Sequence, residues 1–316
     1  MEYRPLGTSG LRVSVIGLGC WPIAGIGWTG VDEQQSLAAL HKALDVGVNF
    51  IDTAYMYGKD GESERLVGRA IAGRRDEVVL ATKCGLHWKG DQLTRDSSRK
   101  RIMQQVEESL RRLNTDSIDL YQVHAYDPNV PVEETARALH DLLDQGKVRA
   151  IGVSNYEVPQ MEAFARSAPL HSNQPPYNLL MREIERDLLP YCRRHTIAVL
   201  VYWPLYKGLL TGKYGRGHRF PDGDSRLKDR WFKGKPLKRT LDMLDHLRPI
   251  ADECGKTLTQ VILNWTISQP GVTLAICGAT RPEHVVQNAG AAGWRLTDEQ
   301  MRRIDEISRK AVTSDE

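Results

Sequence analysis

VNFID (48–52), EVVLATK (77–83) and SIDLYQVH (117–124) are short apolar, β-branched runs, and each ends on a polar residue: Asp52, Lys83 and His124. Runs of this length, apolar throughout rather than alternating, read as strands buried on both faces, as in a parallel sheet. Working outward, similar runs recur at VSVIGLG (13–19), VRAIGVS (148–154), IAVLVYW (197–203) and VTLAICG (272–278), and the mostly polar LHSNQ (170–174) takes the sixth place in the alternation. Between the runs lie segments with helical apolar spacing. Leu37, Leu40, Ala43 and Leu44 give one stripe, and Ile102, Val106, Leu110 and Leu113 another. Asp32 and the Thr297/Gln300 pair are helix-start signals, and Gly47 and Gly146 stand where helices should stop. Strand and helix alternating in this way predict a parallel (β/α)8 barrel, a TIM barrel, as a single domain over residues 1–316.

Bulk composition fits that reading. The chain has 316 residues, 41% hydrophobic and 26% charged, with a net charge of +3. That charge is too mild, and its lysines and arginines too scattered, to point to nucleic acid. The five cysteines, Cys20, Cys84, Cys192, Cys254 and Cys277, form no C-x-x-C pair, so neither a disulfide framework nor a zinc knuckle is expected. The opening MEYRPLGTSG has no apolar signal core, and no stretch is long and apolar enough to span a bilayer. A cytoplasmic protein with no membrane partner is expected.

Active sites of such barrels gather at the C-terminal ends of the strands. Asp52, Lys83 and His124 end neighbouring strands, and Tyr57 follows Asp52 in the next loop. Reducing a carbonyl takes a hydride to carbon and a proton to oxygen. A phenol, with pKa about 10, is a poor acid near neutrality, but a nearby ammonium lowers that value. Asp52 can hold Lys83 in place, and His124 can polarise the carbonyl oxygen. The set therefore points to a general acid, Tyr57, tuned by its neighbours. No H-x-H or H-E-x-x-H occurs, so no metal is expected.

Gly25-x-Gly27-x-x-Gly30 is formally a dinucleotide fingerprint. It fails on placement, because its first glycine must lie in the turn directly after a strand. The first strand ends near Gly19, and the GLGCWP run there carries Pro22 where the third glycine should stand.

DTAYMYG (52–58), LATK (80–83) and IDLYQVH (118–124) resemble the aspartate–tyrosine loop, lysine strand and histidine strand of the aldo-keto reductases. The likeness runs from Gly7 to the last helix. APLHSNQPPYNLL (168–180) resembles the bacterial branch that is similar to general-stress reductases and voltage-gated potassium channel β-subunits. The resemblance implies NADPH-dependent reduction of aldehydes or ketones, with Asp52, Tyr57, Lys83 and His124 as the tetrad. It also implies a small carbonyl substrate. By the same analogy the alternative is an NADP-binding redox-sensing or regulatory subunit with slow turnover. Relatives include both monomers and rings.

Cofactor positions carry over one at a time. Ser154 and Asn155 are placed against the carboxamide, with Gln174 in the sixth-strand position. Trp203-Pro204-Leu205 stands where the family has a serine before Pro-Leu, so that hydroxyl is missing, and Tyr202 or Trp203 supplies the ring on the nicotinamide. Lys207, Gly208 and Leu209 follow the pyrophosphate. Lys213 and Arg226 match basic positions that favour the 2′-phosphate of NADP(H) over NAD. Gly278, Thr280, Arg281, His284, Gln287 and Asn288 fall near the adenosine half, although Gln287 and His284 depart from the usual residues. Trp21, Trp88 and Tyr126 are expected to wall the substrate pocket, with Met56 as packing. The basic, Gly-rich segment 207–236 is expected to be a long loop covering the cofactor.

Overall fold

The computed structural model describes residues 1–25 and 28–313. Gly27 of the fingerprint lies outside the described residues. Eight parallel strands close into a barrel: β1 (Ile16–Gly19), β2 (Phe50–Asp52), β3 (Val79–Cys84), β4 (Ile118–Val123), β5 (Val148–Ser154), β6 (Ser172–Gln174), β7 (Ala198–Tyr202) and β8 (Val272–Gly278). Chain order is spatial order, and β8 closes on β1 through the Ala275–Ile16 to Gly278–Gly19 register. Each of the eight runs read from the sequence contributes a barrel strand, including the short LHSNQ run.

Helices form the outer layer. α1 (Glu33–Asp45) begins at Asp32, whose carboxylate accepts from the Gln35 amide at 2.7 Å. α2 (Glu62–Ala70), α3 (Arg99–Leu113), α4 (Val132–Asp144), α5 (Val158–Ala165) and α6 (Leu188–Arg194) cross between the first seven strands. Between β7 and β8 lie short helical turns, then α7 (Gly234–Cys254) and α8 (Leu258–Ser268). α9 (Pro282–Ala289) and α10 (Asp298–Thr313) follow β8. The Thr297/Gln300 capping box forms with bonds of 3.0 and 3.2 Å.

VSVIGLG differs from its reading as one strand. Arg12–Ser14 pairs antiparallel with Tyr3–Pro5 in a hairpin, and the barrel strand starts only at Ile16. Leu6, Leu11 and Val13 of this N-terminal segment share one apolar cluster with Phe50, Val79, Ala81, Leu120, Ala150, Ala198, Leu200, Leu274 and Ile276. Several of these open their strands, so the hairpin plugs the N-terminal end of the barrel and leaves the other end for the site. Close packing inside has a cost in residue choice. A Cβ on Gly152 would lie 2.2 Å from the Ser172 hydroxyl oxygen. A second hairpin, Leu86–Lys89 with Gln92–Arg95, rises from the C-terminal end after β3. It turns at Gly90, which has φ +62°.

Candidate active site

Asp52 and Lys83 end neighbouring strands and are 3% and 1% exposed. Burying one such charge alone would cost several kcal/mol, so each needs a partner. The Lys83 ammonium donates to Asp52 Oδ2 at 2.7 Å and to the Thr53 carbonyl at 2.9 Å. Its third direction reaches the Tyr57 hydroxyl at 3.4 Å. Gln174, from β6 across the barrel, donates to the other Asp52 oxygen at 2.9 Å. The Tyr57 ring meets His124 edge-on, with ring centres 5.6 Å apart. Four residues read from three strand ends thus converge.

The electrostatics differ from the sequence expectation in one respect. Burial, followed by the Asp52 charge, drives the Tyr57 phenol well above its ordinary value rather than below it. Burial lowers Lys83, and the Asp52 carboxylate opposes that. The ammonium is therefore largely spent on Asp52. Burial, helped by Lys83, holds His124 well below the ordinary imidazole range, so the ring is neutral. Its buried Nδ1 has no hydrogen-bond partner among the described residues. A proton there would be an unsatisfied buried donor, so the neutral ring carries its proton on Nε2.

Tyr57, Asp52 and His124 line a cavity of about 730 Å³. Its wall divides by element. Trp21, Trp28, Met56, Leu86 and Leu93, from the exits of β1, β2 and β3, give an apolar side. Lys207, Lys213, Arg226, Arg281 and His284, from the exits of β7 and β8, give a cationic one. Ser154, Asn155, Gln174, Tyr202, Trp203, Pro204, Leu205, Gly208, Gly278, Thr280, Gln287 and Asn288 also line it. Trp21 stacks on Trp203 at 6.2 Å, and the Tyr202 hydroxyl donates to Asn155 at 2.8 Å. Asn155 in turn donates to the His124 carbonyl at 3.0 Å, tying β4, β5 and β7 together.

Three expected residues stand elsewhere. Leu209 is packed in the main apolar core and is not part of the wall. The Trp88 indole donates to the Met56 carbonyl at 2.9 Å, so its hairpin offers Leu86 and Leu93 to the cavity instead. Tyr126 packs edge-on against Tyr156, away from the wall.

The cations differ in their freedom. Lys207 is 2.8 Å from Asp229. Arg226 donates twice to Asp224, at 2.8 and 2.5 Å, and once to the Tyr214 hydroxyl. Its guanidinium is sandwiched between Trp28 and Phe220, at 4.6 and 4.4 Å. Lys213 lies 4.9 Å from the Tyr214 ring centre and makes no ion pair among the described residues. The chain here is strained: Trp203, Tyr206 and Lys207 have φ of 56°, 40° and 52°. Left-handed backbone at such residues costs about 1–3 kcal/mol each and clusters at functional sites. Trp28, Tyr214 and Thr259 join the wall without having been read as site residues: Trp28 lies inside the fingerprint set aside above, and Tyr214 and Thr259 end no strand. Among the described residues no cluster of three or more His, Cys, Asp or Glu could hold a metal, and no helix is long and apolar enough to cross a membrane.

The sequence profile of the aldo/keto reductase family matches residues 15–309, so the chain belongs to that family. An aldo-keto reductase of Bacillus subtilis (strain 168), YhdN, is 44% identical, covering 99% of this chain and 95% of its own length. The NADH-specific methylglyoxal reductase of Escherichia coli (strain K12) is 35% identical over 98% of each chain. A putative voltage-gated potassium channel β-subunit of Schizosaccharomyces pombe is 36% identical, covering 97% and 93%. Among solved structures, the glycerol dehydrogenase AKR11B4 of Gluconobacter oxydans superimposes with a TM-score of 0.89 at 41% identity, covering 96% and 93%. The chain is an oxidoreductase acting on carbonyl compounds.

Proposed function

We propose that this protein reduces aldehydes or ketones with NADPH, in the cytoplasm, with Tyr57 as the proton donor. One observation carries the reading: the Lys83 ammonium touches both Asp52 and the Tyr57 hydroxyl, at 2.7 and 3.4 Å, beside a neutral His124 at the cavity wall. The cofactor supplies the hydride. Tyr57 keeps its proton at rest because burial raises its pKa. As the phenol gives up that proton, the ammonium beside it stabilises the phenolate. His124 Nε2–H donates to the carbonyl oxygen and polarises it.

The residues present fit a dinucleotide. The cavity has the size of a ligand site, and its β8 exit leads into the N-terminus of α9, whose amides and dipole suit phosphate. Ser154, Asn155 and Gln174 are proposed to hold the carboxamide end, and Tyr202 and Trp203 to flank the ring. Lys213 and Arg281 are proposed to meet the 2′-phosphate, with Arg226 held ready by Asp224. The NADH-specific relative makes cofactor choice a point to test directly. Likeness to channel β-subunits favours a second reading, an NADP-binding regulator that turns over slowly.

Fluorescence titration with NADPH and NADH, followed by turnover on an aldehyde panel, separates these readings. Tight NADPH binding with steady turnover is expected. Tight binding with only single-turnover oxidation would favour the regulator. Tyr57→Phe should bind cofactor normally and lose roughly 10²–10⁴-fold in turnover; a wild-type rate in that variant refutes the assignment of the acid.

A further inference from the structure

Behind the loop that carries Tyr57 lies a charged cluster that the chemistry above does not use. Glu64 on α2 is wholly buried, and Arg112 on α3 is 15% exposed by its side chain. They pair at 3.2 Å. Burial pushes the Glu64 carboxyl up, and Arg112 opposes this. A buried ion pair contributes little net stability compared with apolar residues of the same size, so its value lies in geometry.

That geometry points at the loop. Arg112 donates to the Tyr55 carbonyl at 3.3 Å, and its guanidinium covers the Tyr55 ring at 4.3 Å. The Tyr55 hydroxyl donates to Glu108, which also lies 3.8 Å from Arg112. On its other side the Tyr55 amide donates to the Lys83 carbonyl at 3.1 Å. Glu64 closes the circuit by accepting from Thr82, the residue before Lys83, at 2.7 Å. Gly61 leaves room for the arginine stem: a Cβ there would lie 2.5 Å from Arg112 Cδ. The Tyr55 peptide is thus held at both ends, two residues before Tyr57 and against the strand that bears Lys83.

We infer that Glu64 and Arg112 are positioning residues, which set the reach of the Tyr57 hydroxyl to Lys83 and to the carbonyl oxygen. This rests on the reading of Tyr57 as the acid. Neither residue touches the cavity wall, so cofactor binding should not depend on them.

The test compares Arg112→Met, Arg112→Lys and Glu64→Gln with wild type and with Tyr57→Phe in the full chain. For Arg112→Met, kcat should fall roughly tenfold or more, since misplacement by about 1 Å costs up to ~10²-fold. NADPH Kd and carbonyl KM should stay near wild type. The solvent deuterium isotope effect on kcat should rise, because proton transfer becomes slower. Arg112→Lys should recover part of kcat but not all, as one ammonium cannot reproduce the guanidinium fork. Glu64→Gln, nearly isosteric, should show the same signs more weakly. Lowered melting temperature with wild-type kcat and isotope effect would overturn the inference and leave a structural role only. If Arg112→Met does not fold, Glu64→Gln decides alone, by the same criterion. An inactive Tyr57→Phe beside wild-type Arg112→Met and Glu64→Gln sinks only the positioning role. A wild-type Tyr57→Phe sinks the proton-donor reading itself.

Discussion

Asp52→Asn isolates the charge on which the site is built. The substitution keeps the shape and one acceptor oxygen but removes the anion that meets Lys83 at 2.7 Å. Lys83 is 1% exposed and has no other anionic partner among the described residues. Breaking a buried pair by removing one member costs about 3–5 kcal/mol while the remaining group stays charged. Lys83 has a second choice, which is to lose its proton. Its pKa is already lowered by burial, and Asp52 is the main influence holding it up. Without Asp52 it falls further. The sign of the pH dependence follows. Above the folded pKa and below the unfolded value of about 10.4, the unfolded chain binds the extra proton, so stability rises with pH. The deficit of the variant against wild type should be full in mild acid and shrink by up to about 1.4 kcal/mol per pH unit as the solution becomes alkaline. Urea unfolding of both proteins at several pH values measures it, each at its own midpoint. A deficit that stays constant from about pH 6 to about pH 9.5 would refute the reasoning, because the lysine would then have kept its charge on another group or reached water.

Further expectations concern the cofactor and the pH profile. Lys213→Ala should weaken NADPH roughly 10-fold or more, the worth of one hydrogen bond to a charged group, and leave NADH unchanged. Arg226→Ala should do the same and also lower the melting temperature, because Asp224, 2% exposed, loses its partner. Equal losses for both cofactors in titration would remove the 2′-phosphate role. With His124 lowered and Tyr57 raised, neither group changes charge near neutrality. Reductive kcat/KM should show no limb from either group between about pH 7 and pH 9, because His124 is held below its ordinary value and Tyr57 above its own. A fall centred within that range would contradict the assigned protonation states.

Much of this was legible in the sequence, for a physical reason. Strands buried on both faces are mostly apolar, so most of the runs stood out, whereas LHSNQ, polar in all but Leu170, gave the weakest signal and rested on its place in the alternation of strand and helix. Polar residues ending such runs were then conspicuous, which is how Asp52, Lys83 and His124 came into view. VSVIGLG was not separable, because Val13 of the hairpin strand, Val15, and Ile16 of the barrel strand continue one β-branched run and nothing in the composition marks Val15 as the break. The 86–95 hairpin did leave a signal in Lys89-Gly90-Asp91, a turn between alternating residues. The partners of the cations were the least legible. Asp224 and Asp229 lie in a segment dense in charges of both signs, and only the folded loop selects which pairs form. Arg226 needs Tyr214, Trp28 and Phe220 around it, three rings without common spacing.

The raised phenol pKa bears on why an aspartate belongs in such a site at all. A lysine left free beside Tyr57 would ionise part of the phenol at rest, and a phenolate has no proton to give. With Asp52 and Gln174 holding the other side of the ammonium, the resting phenol stays protonated and the pair stays neutral as a unit. On the proposed reading, the ammonium's influence is held back until negative charge grows on the carbonyl oxygen and then on the phenol oxygen. Tuning by a balanced pair therefore separates two demands that a lone cation could not meet together: a full proton reservoir before reaction and a stabilised phenolate during it. The neutral His124 fits the same logic, since a second cation there would also favour premature loss of the Tyr57 proton.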